Sequence, residues 1–301
     1  MPIISSHPQK GVKMSIVISI ANEKGGVGKT TTAVNLAAGL ALSLIDQPDS
    51  LNRVLLVDMD PQGHALLATA YGNHNAEPGD SLAALLIETP PPSVQRIVRV
   101  SQHHPNLYFV PGNRGAMTEA SRTLPTLMAN ENRLARALDS IQSQFAYVII
   151  DTPPTTGDLL INALVASSHV LIPVETSYLG VSGLRELQHT IEAVAYHFHP
   201  ELKILGYLPT LCDEQRGETQ EILIELQKRY PNQTLAPIHK STDLAYAHSS
   251  HMDVFSYRPP RARQNGQIAS SSKATQEYAN LVDNVLEATW DEVVATQGKR
   301  R

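Results

Sequence analysis

Two lysines bracket a glycine-rich run in Lys24-Gly25-Gly26-Val27-Gly28-Lys29-Thr30-Thr31, a spacing suited to gripping a chain of phosphates. Glycines let backbone N–H groups turn toward phosphate oxygens, and a helix beginning at Thr30 aims the positive end of its dipole at the same charge. Lys29 is placed to pair with the outer phosphates, and the Thr30 hydroxyl to ligate Mg²⁺. Residues Lys24 to Thr31 therefore form the candidate cradle for a nucleoside triphosphate. The usual phosphate-loop pattern has glycine where this chain has Glu23; a second lysine, Lys24, follows instead.

Two further segments supply carboxylates. Asp58-Met59-Asp60-Pro61-Gln62-Gly63 follows one apolar run, and Asp151-Thr152-Pro153-Pro154 follows another, Tyr147 to Ile150. Carboxylates at strand ends beside a phosphate loop stand where Mg²⁺ and an attacking water are organised. Asp151, alone at the tip of an apolar strand, is the expected Mg²⁺ residue, acting through water.

These groups need a scaffold that brings strand ends together. Apolar runs bounded by turn residues alternate with helical segments, the pattern of parallel βαβ units, so the expected fold is α/β with a predominantly parallel, helix-flanked sheet. Expected strands are Ile16 to Ala21, Val54 to Asp58, Leu107 to Val110, Tyr147 to Asp151, Val170 to Val174, Lys203 to Leu208 and Thr234 to Ile238. Expected helices are Thr30 to Leu44, Ala116 to Leu124, Asn132 to Ser143, Leu159 to Ala166, Val181 to Tyr196 and Gly217 to Arg229. A last helix, about Ala274 to Thr296, puts Tyr278, Leu281, Val282, Val285, Leu286, Trp290 and Val293 on one stripe, and core packing is its expected role. Its other face carries Glu277, Asp283, Glu287, Asp291 and Glu292, unlike the basic face of a membrane-surface helix. The expected organisation is a loose tail over 1–14, one ATPase domain over 15–296 and a basic tail over 297–301.

Composition narrows the setting. The chain has 301 residues, 42% of them hydrophobic, enough for a substantial core. The single Cys212 excludes an internal disulfide framework and fits a reducing cytoplasm. No run is long enough to span a membrane, so no membrane partner is expected. A net charge of −5 does not suggest a general nucleic-acid binder, and DNA contact would need a local basic patch. His103 with His104 and His197 with His199 do not present two ligands on one helical face, so a zinc site is not expected.

A lysine immediately before the glycines resembles the deviant phosphate loop of the ParA/MinD ATPases. Asp58 to Gly63 looks like the family's switch I, and Thr152 to Gly157 like its switch II. Weaker matches carry the resemblance from about Ser15 to Glu287: Val110 to Asn113 with Glu119, Leu171 to Glu175, Gly206 to Asp213, and Tyr257 to Pro259. The resemblance implies ATP and Mg²⁺ as cofactors and an ATP-sandwich homodimer in which Lys24 reaches the partner's nucleotide. Lys29 then holds phosphates within its own subunit, Asp60 orients the hydrolytic water, and Asp58 supports the Mg²⁺ and Lys29 network. Thr210, Asp213, Pro237 and His239 are the candidates for contacting the base, although relatives have proline where this chain has His239.

By the same resemblance the dimer binds DNA without sequence preference, and a ParB-like partner stimulates hydrolysis, driving plasmid or chromosome partitioning. Such a protein is cytoplasmic and nucleoid-associated. Candidate DNA contacts are Arg216, Lys240, Arg258, Arg261 and Arg263. Asp243 departs from the family, standing where relatives carry arginine. A helix-turn-helix domain ahead of Ser15, and with it operator-specific autorepression, is not expected. Two alternatives remain open: a same-fold ATPase positioning a protein cargo or organelle, of carboxysome or MinD type, and a metabolic synthase of the dethiobiotin or cobyrinate-amidating kind.

Overall fold

In a computed structural model, residues 15–48, 51–63, 65, 76–258 and 272–297 are described. Seven strands form one sheet in the order β3-β4-β2-β5-β1-β6-β7. They are β1 (Ile16–Ile20), β2 (Val54–Asp58), β3 (Arg99–Val100), β4 (Leu107–Val110), β5 (Tyr147–Asp151), β6 (His169–Glu175) and β7 (Lys203–Thr210). All pairings are parallel except β3 with β4. The expected parallel α/β architecture is therefore present.

Alternation along each strand explains the unbroken apolar runs. Ile16, Ile18 and Ile20 of β1, with Val54 and Leu56 of β2, face one core, while Val17, Leu55 and Val57 face the other. Both faces are covered, as parallel strands require. The first face is closed by α1 (Lys29–Ser43) and a long helix, Lys273–Gln297. The opposite face is closed by α2 (Leu82–Ile87), α3 (Val94–Ile97), α4 (Arg114–Thr123), α5 (Arg133–Asp139) and α6 (Asp158–Val165). Beyond α6 come α7 (Tyr178–Ser182), α8 (Leu184–His197) and α9 (Gly217–Arg229), and α8 and α9 cover the outer strands β6 and β7. The chain then forms α10 (Thr242–Ser249) and the long helix, α11. In α11, Tyr278, Leu281, Val282, Val285 and Val293 are buried, and Leu286 and Trp290 pack against the same core. The apolar stripe is thus spent on the sheet.

Three differences from the sequence reading have local causes. Thr234 to Ile238 is not a strand. It runs beside β7, with Leu235 N–H donating to Tyr207 O at 2.9 Å and Ile238 N–H to Pro209 O at 2.9 Å. Pro237 and Pro209 have no N–H, so only isolated bridges form. The single helix expected from Val181 to Tyr196 is two, α7 and α8, separated at Gly183. β3, α2, α3 and α10 are short elements whose signals were too brief to read. Of the expected tails, 1–14 and all of 297–301 but Gln297, which ends α11, lie outside the described residues.

Candidate nucleotide site

The phosphate loop leaves β1 at the centre of the sheet, between β5 and β6. Gly26 and Gly28 have φ of +76° and +84°, the left-handed region that glycine enters without strain. Gly28 is the N-cap of α1, and its carbonyl accepts the Thr32 N–H at 2.8 Å. Helix α1 therefore starts with its free N–H groups and dipole facing the loop. Two side chains fasten the loop to neighbouring strands. Thr210 at the end of β7 donates to Val27 O at 2.8 Å, and Asn22 donates to Pro173 O at 2.7 Å while accepting from Lys24 N–H at 2.9 Å.

The two lysines have different surroundings. Lys29 is only 6% exposed, and its ammonium donates to Lys24 O at 2.8 Å. Among the described residues it forms no ion pair, and burial pushes it below the usual lysine range, with Asp151 and Asp60 opposing. A buried ammonium with such sparse compensation is suited to an anionic ligand. Lys24 is half-buried and pairs with Glu175 at the end of β6. The sequence reading did not select Glu175. The rule that singled out Asp151, a carboxylate closing a buried apolar strand, also fits Glu175.

The carboxylates converge as the strand register dictates, with Asp58 beside Asp151. Asp151 is fully buried; its Oδ2 accepts the Thr30 hydroxyl at 2.7 Å, and its Oδ1 has no hydrogen-bond partner. Burial raises this carboxyl well above the ordinary range; Asp60 adds to the shift, and the Thr30 hydrogen bond and Lys29 oppose it. Asp58 is raised in the same direction by burial, Asp151 and Asp60. Both oxygens of Asp58 are engaged: Oδ1 accepts Asp60 N–H and Oδ2 accepts Ala65 N–H, each at 3.0 Å. Asp58 thus shapes the loop that carries Asp60, and among the described residues it is hydrogen-bonded to neither Lys29 nor Thr30. In that loop Gln62 N–H donates to Asp60 Oδ1 at 2.9 Å, and Gly63 takes φ +67°. Thr152, at the head of the second switch segment, donates to Ile20 O at 2.8 Å.

The residues fit Mg²⁺: a hydroxyl and a carboxylate are side by side, one carboxylate oxygen is buried and unsatisfied, and all donors are hard oxygens. Among the described residues no group of three or more His, Cys, Asp or Glu is arranged to hold a metal alone. A cation here needs phosphate and water oxygens to complete its shell.

Beside the loop lies a cavity of about 400 Å³ lined by Gly28, Thr31, Thr210, Leu211, His239 and Lys240, with α10 and Tyr278 closing it. Thr210 and His239, two of the four base-contact candidates, line this cavity. Pro237 and Asp213 do not line it, and Asp213 instead pairs with Arg216 at 3.2 Å. Both ring nitrogens of His239 are engaged, Nδ1 with Glu277 at 2.6 Å and Nε2 with Glu214 at 3.0 Å.

Three of the five candidate DNA contacts fall on described residues. Arg216 is tied to Asp213, Lys240 is exposed at the cavity rim, and exposed Arg258 donates to Phe255 O at 2.7 Å. Arg261 and Arg263 lie outside the described residues. Asp243 sits in the first turn of α10, where a negative charge favours the helix. No described helix is long and apolar enough to cross a membrane.

A family model described as an AAA domain matches residues 15–204. The chain is 37% identical over 222 residues to the chromosome partitioning protein ParA of Myxococcus xanthus, covering 74% of each protein. It is 34% identical over 247 residues to the sporulation initiation inhibitor protein Soj of Bacillus subtilis, covering 82% of this chain and 92% of that one. Among solved structures, cobyrinic acid a,c-diamide synthase from Mycobacterium smegmatis, with an ATP analog and magnesium bound, matches with a TM-score of 0.71. The identity is 27%, over 92% of this chain and 95% of that one.

Proposed function

The chain belongs to the ParA/MinD-type P-loop ATPases, and from that membership we propose that it binds Mg·ATP, closes into an ATP-sandwich dimer and hydrolyses ATP slowly. The dimer binds DNA nonspecifically and partitions a plasmid or chromosome with a ParB-like partner. The observation that carries this reading is the convergence of buried Lys29, the Thr30–Asp151 pair and the Asp60 loop beneath one helix N-terminus. The names of the Myxococcus and Bacillus relatives support the biological role.

Each residue has a task in this scheme. Lys29 and the N–H groups of Gly25 to Thr31 hold the phosphates, and Thr30 with Asp151 holds Mg²⁺, which supplies charge neutralisation at the phosphates when bound. Asp60, on a loop fixed by Asp58, orients the attacking water. Lys24 leaves Glu175 to reach the partner's nucleotide. Thr210 and His239 border the base.

A protein-positioning role is the second reading, favoured by Asp243 and by the pairing of Arg216 with Asp213. Binding to random-sequence DNA with ATP, ADP or no nucleotide, over a salt series, separates the two. Steeply salt-sensitive binding that requires ATP supports partitioning, whereas absence of binding at low salt supports positioning. Glutamine-dependent amidation of a small acid would instead place the chain with the synthases. Sedimentation of two variants tests the core claim. Lys24→Ala should remain monomeric with ATP, and Asp60→Ala should stay dimeric with turnover lost; a Lys24→Ala dimer of normal affinity removes the crossing role.

A further inference from the structure

The loop carrying Asp60 does not stand by itself. Its next exposed side chain, Gln62, accepts a hydrogen bond from the Arg114 guanidinium at the start of α4. The residue before Arg114 grips the chain again further on: Asn113 Nδ2 donates to Ala76 O at 2.9 Å. The other end of the same amide caps α4, with Oδ1 accepting Ala116 N–H at 2.9 Å. Two residues earlier, Pro111 O accepts Leu82 N–H at 3.0 Å at the start of α2. Adjacent residues at one helix N-terminus therefore hold Gln62, two residues after Asp60, and Ala76 further along the chain.

We propose that Asn113 and Arg114 are positioning residues for the ATPase reaction, clamping the Asp60 loop against the N-terminus of α4 so that Asp60 is held over the phosphate site. The clamp's catalytic consequence rests on the function proposed above, but the clamp does not. Neither residue touches the phosphate loop, so each acts through Gln62 and Ala76. The chemistry suits the task. A guanidinium holds an amide oxygen with a directional, charge-assisted hydrogen bond. Asn113 supplies a donor and an acceptor from one rigid amide, which aspartate cannot.

Three variants separate positioning from folding. Arg114→Ala removes the bond to Gln62. Asn113→Asp keeps the acceptor that caps α4 and loses the donor to Ala76, so the melting temperature should hold. Arg114→Lys retains a charged donor and should restore part of the function. Hydrogen exchange without nucleotide is the first readout. The amides of Asp60, Gln62, Gly63 and Ala65 are bonded within the loop, and in Arg114→Ala and Asn113→Asp they should exchange about tenfold faster. Unchanged exchange overturns the clamp whether or not the protein hydrolyses ATP. Phosphate-release kinetics are the second. With a functioning ATPase, kcat should fall about tenfold with KM unchanged, and Gln62→Ala combined with Arg114→Ala should be no worse than either alone. Additive losses, or an equal rise in KM, overturn the positioning role. Faster exchange in a chain that never turns over ATP would leave the clamp standing and remove the ATPase reading.

Discussion

Lys29 and His169 show how burial sets the behaviour of single residues in this chain. Lys29 is enclosed beside a carbonyl with no ion pair among the described residues, so its charge costs the unliganded protein more than it returns. Lys29→Ala should therefore leave the unliganded melting temperature unchanged or raised, while affinity for a fluorescent ATP analogue drops about a hundredfold. A lowered melting temperature would contradict this account. His169, at the start of β6, is held below its ordinary 6.5 by burial, with Glu292 opposing and Lys203 assisting. A depressed pKa means that the folded state binds fewer protons, so the associated stability is present above the ordinary value and lost as pH falls through the folded one. Thermal melts from about pH 7 to about pH 5 should show a smaller loss for His169→Gln than for the parent chain. At this scale the sequence showed the phosphate loop, Asp60 and Asp151 plainly, because glycine spacing and strand-end carboxylates are local signals. It did not show that Glu175 holds Lys24, that Asp58 is spent on two amides, or that Arg216 is neutralised by Asp213. Those contacts are made between residues that only folding brings together or that share no periodic pattern.

Helices and strands tell the same story one level up. Strands that run to the centre of the sheet were legible because both faces are apolar, as Tyr147 to Asp151 shows. Thr234 to Ile238 has the same look, but its pairing depends on backbone donors, and proline removes them where no hydropathy pattern can record it. Helix α1 joins the phosphate loop to the core, and its packing leaves little room. A Cβ on Gly39 would come within 2.5 Å of Val282 Cγ2 on α11 and 2.9 Å of the Phe255 ring. Gly39→Ala should cost about 1–3 kcal/mol by overpacking, read as a lower denaturation midpoint. Val282→Ala should relieve part of that loss, since Val282 makes the closest contact.

The whole molecule resolves into a sheet with two covered faces and a chemical edge where β1, β2, β5, β6 and β7 end. At that edge Asp58 and Asp151 lie side by side, both pushed toward their neutral forms by burial. The Oδ1 atom of Asp151, buried and without a hydrogen-bond partner, leaves an unmet acceptor at the centre of the sheet. A ligand that satisfies this oxygen binds the folded chain alone and so adds to its stability. The melting temperature should report on the cation directly. Mg²⁺ with ATP should raise it by several degrees more than ATP with EDTA, the gain growing with the logarithm of ligand concentration. Asp151→Asn should melt alike in both mixtures. The protein would then carry its own thermometer for metal occupancy, readable without measuring catalysis.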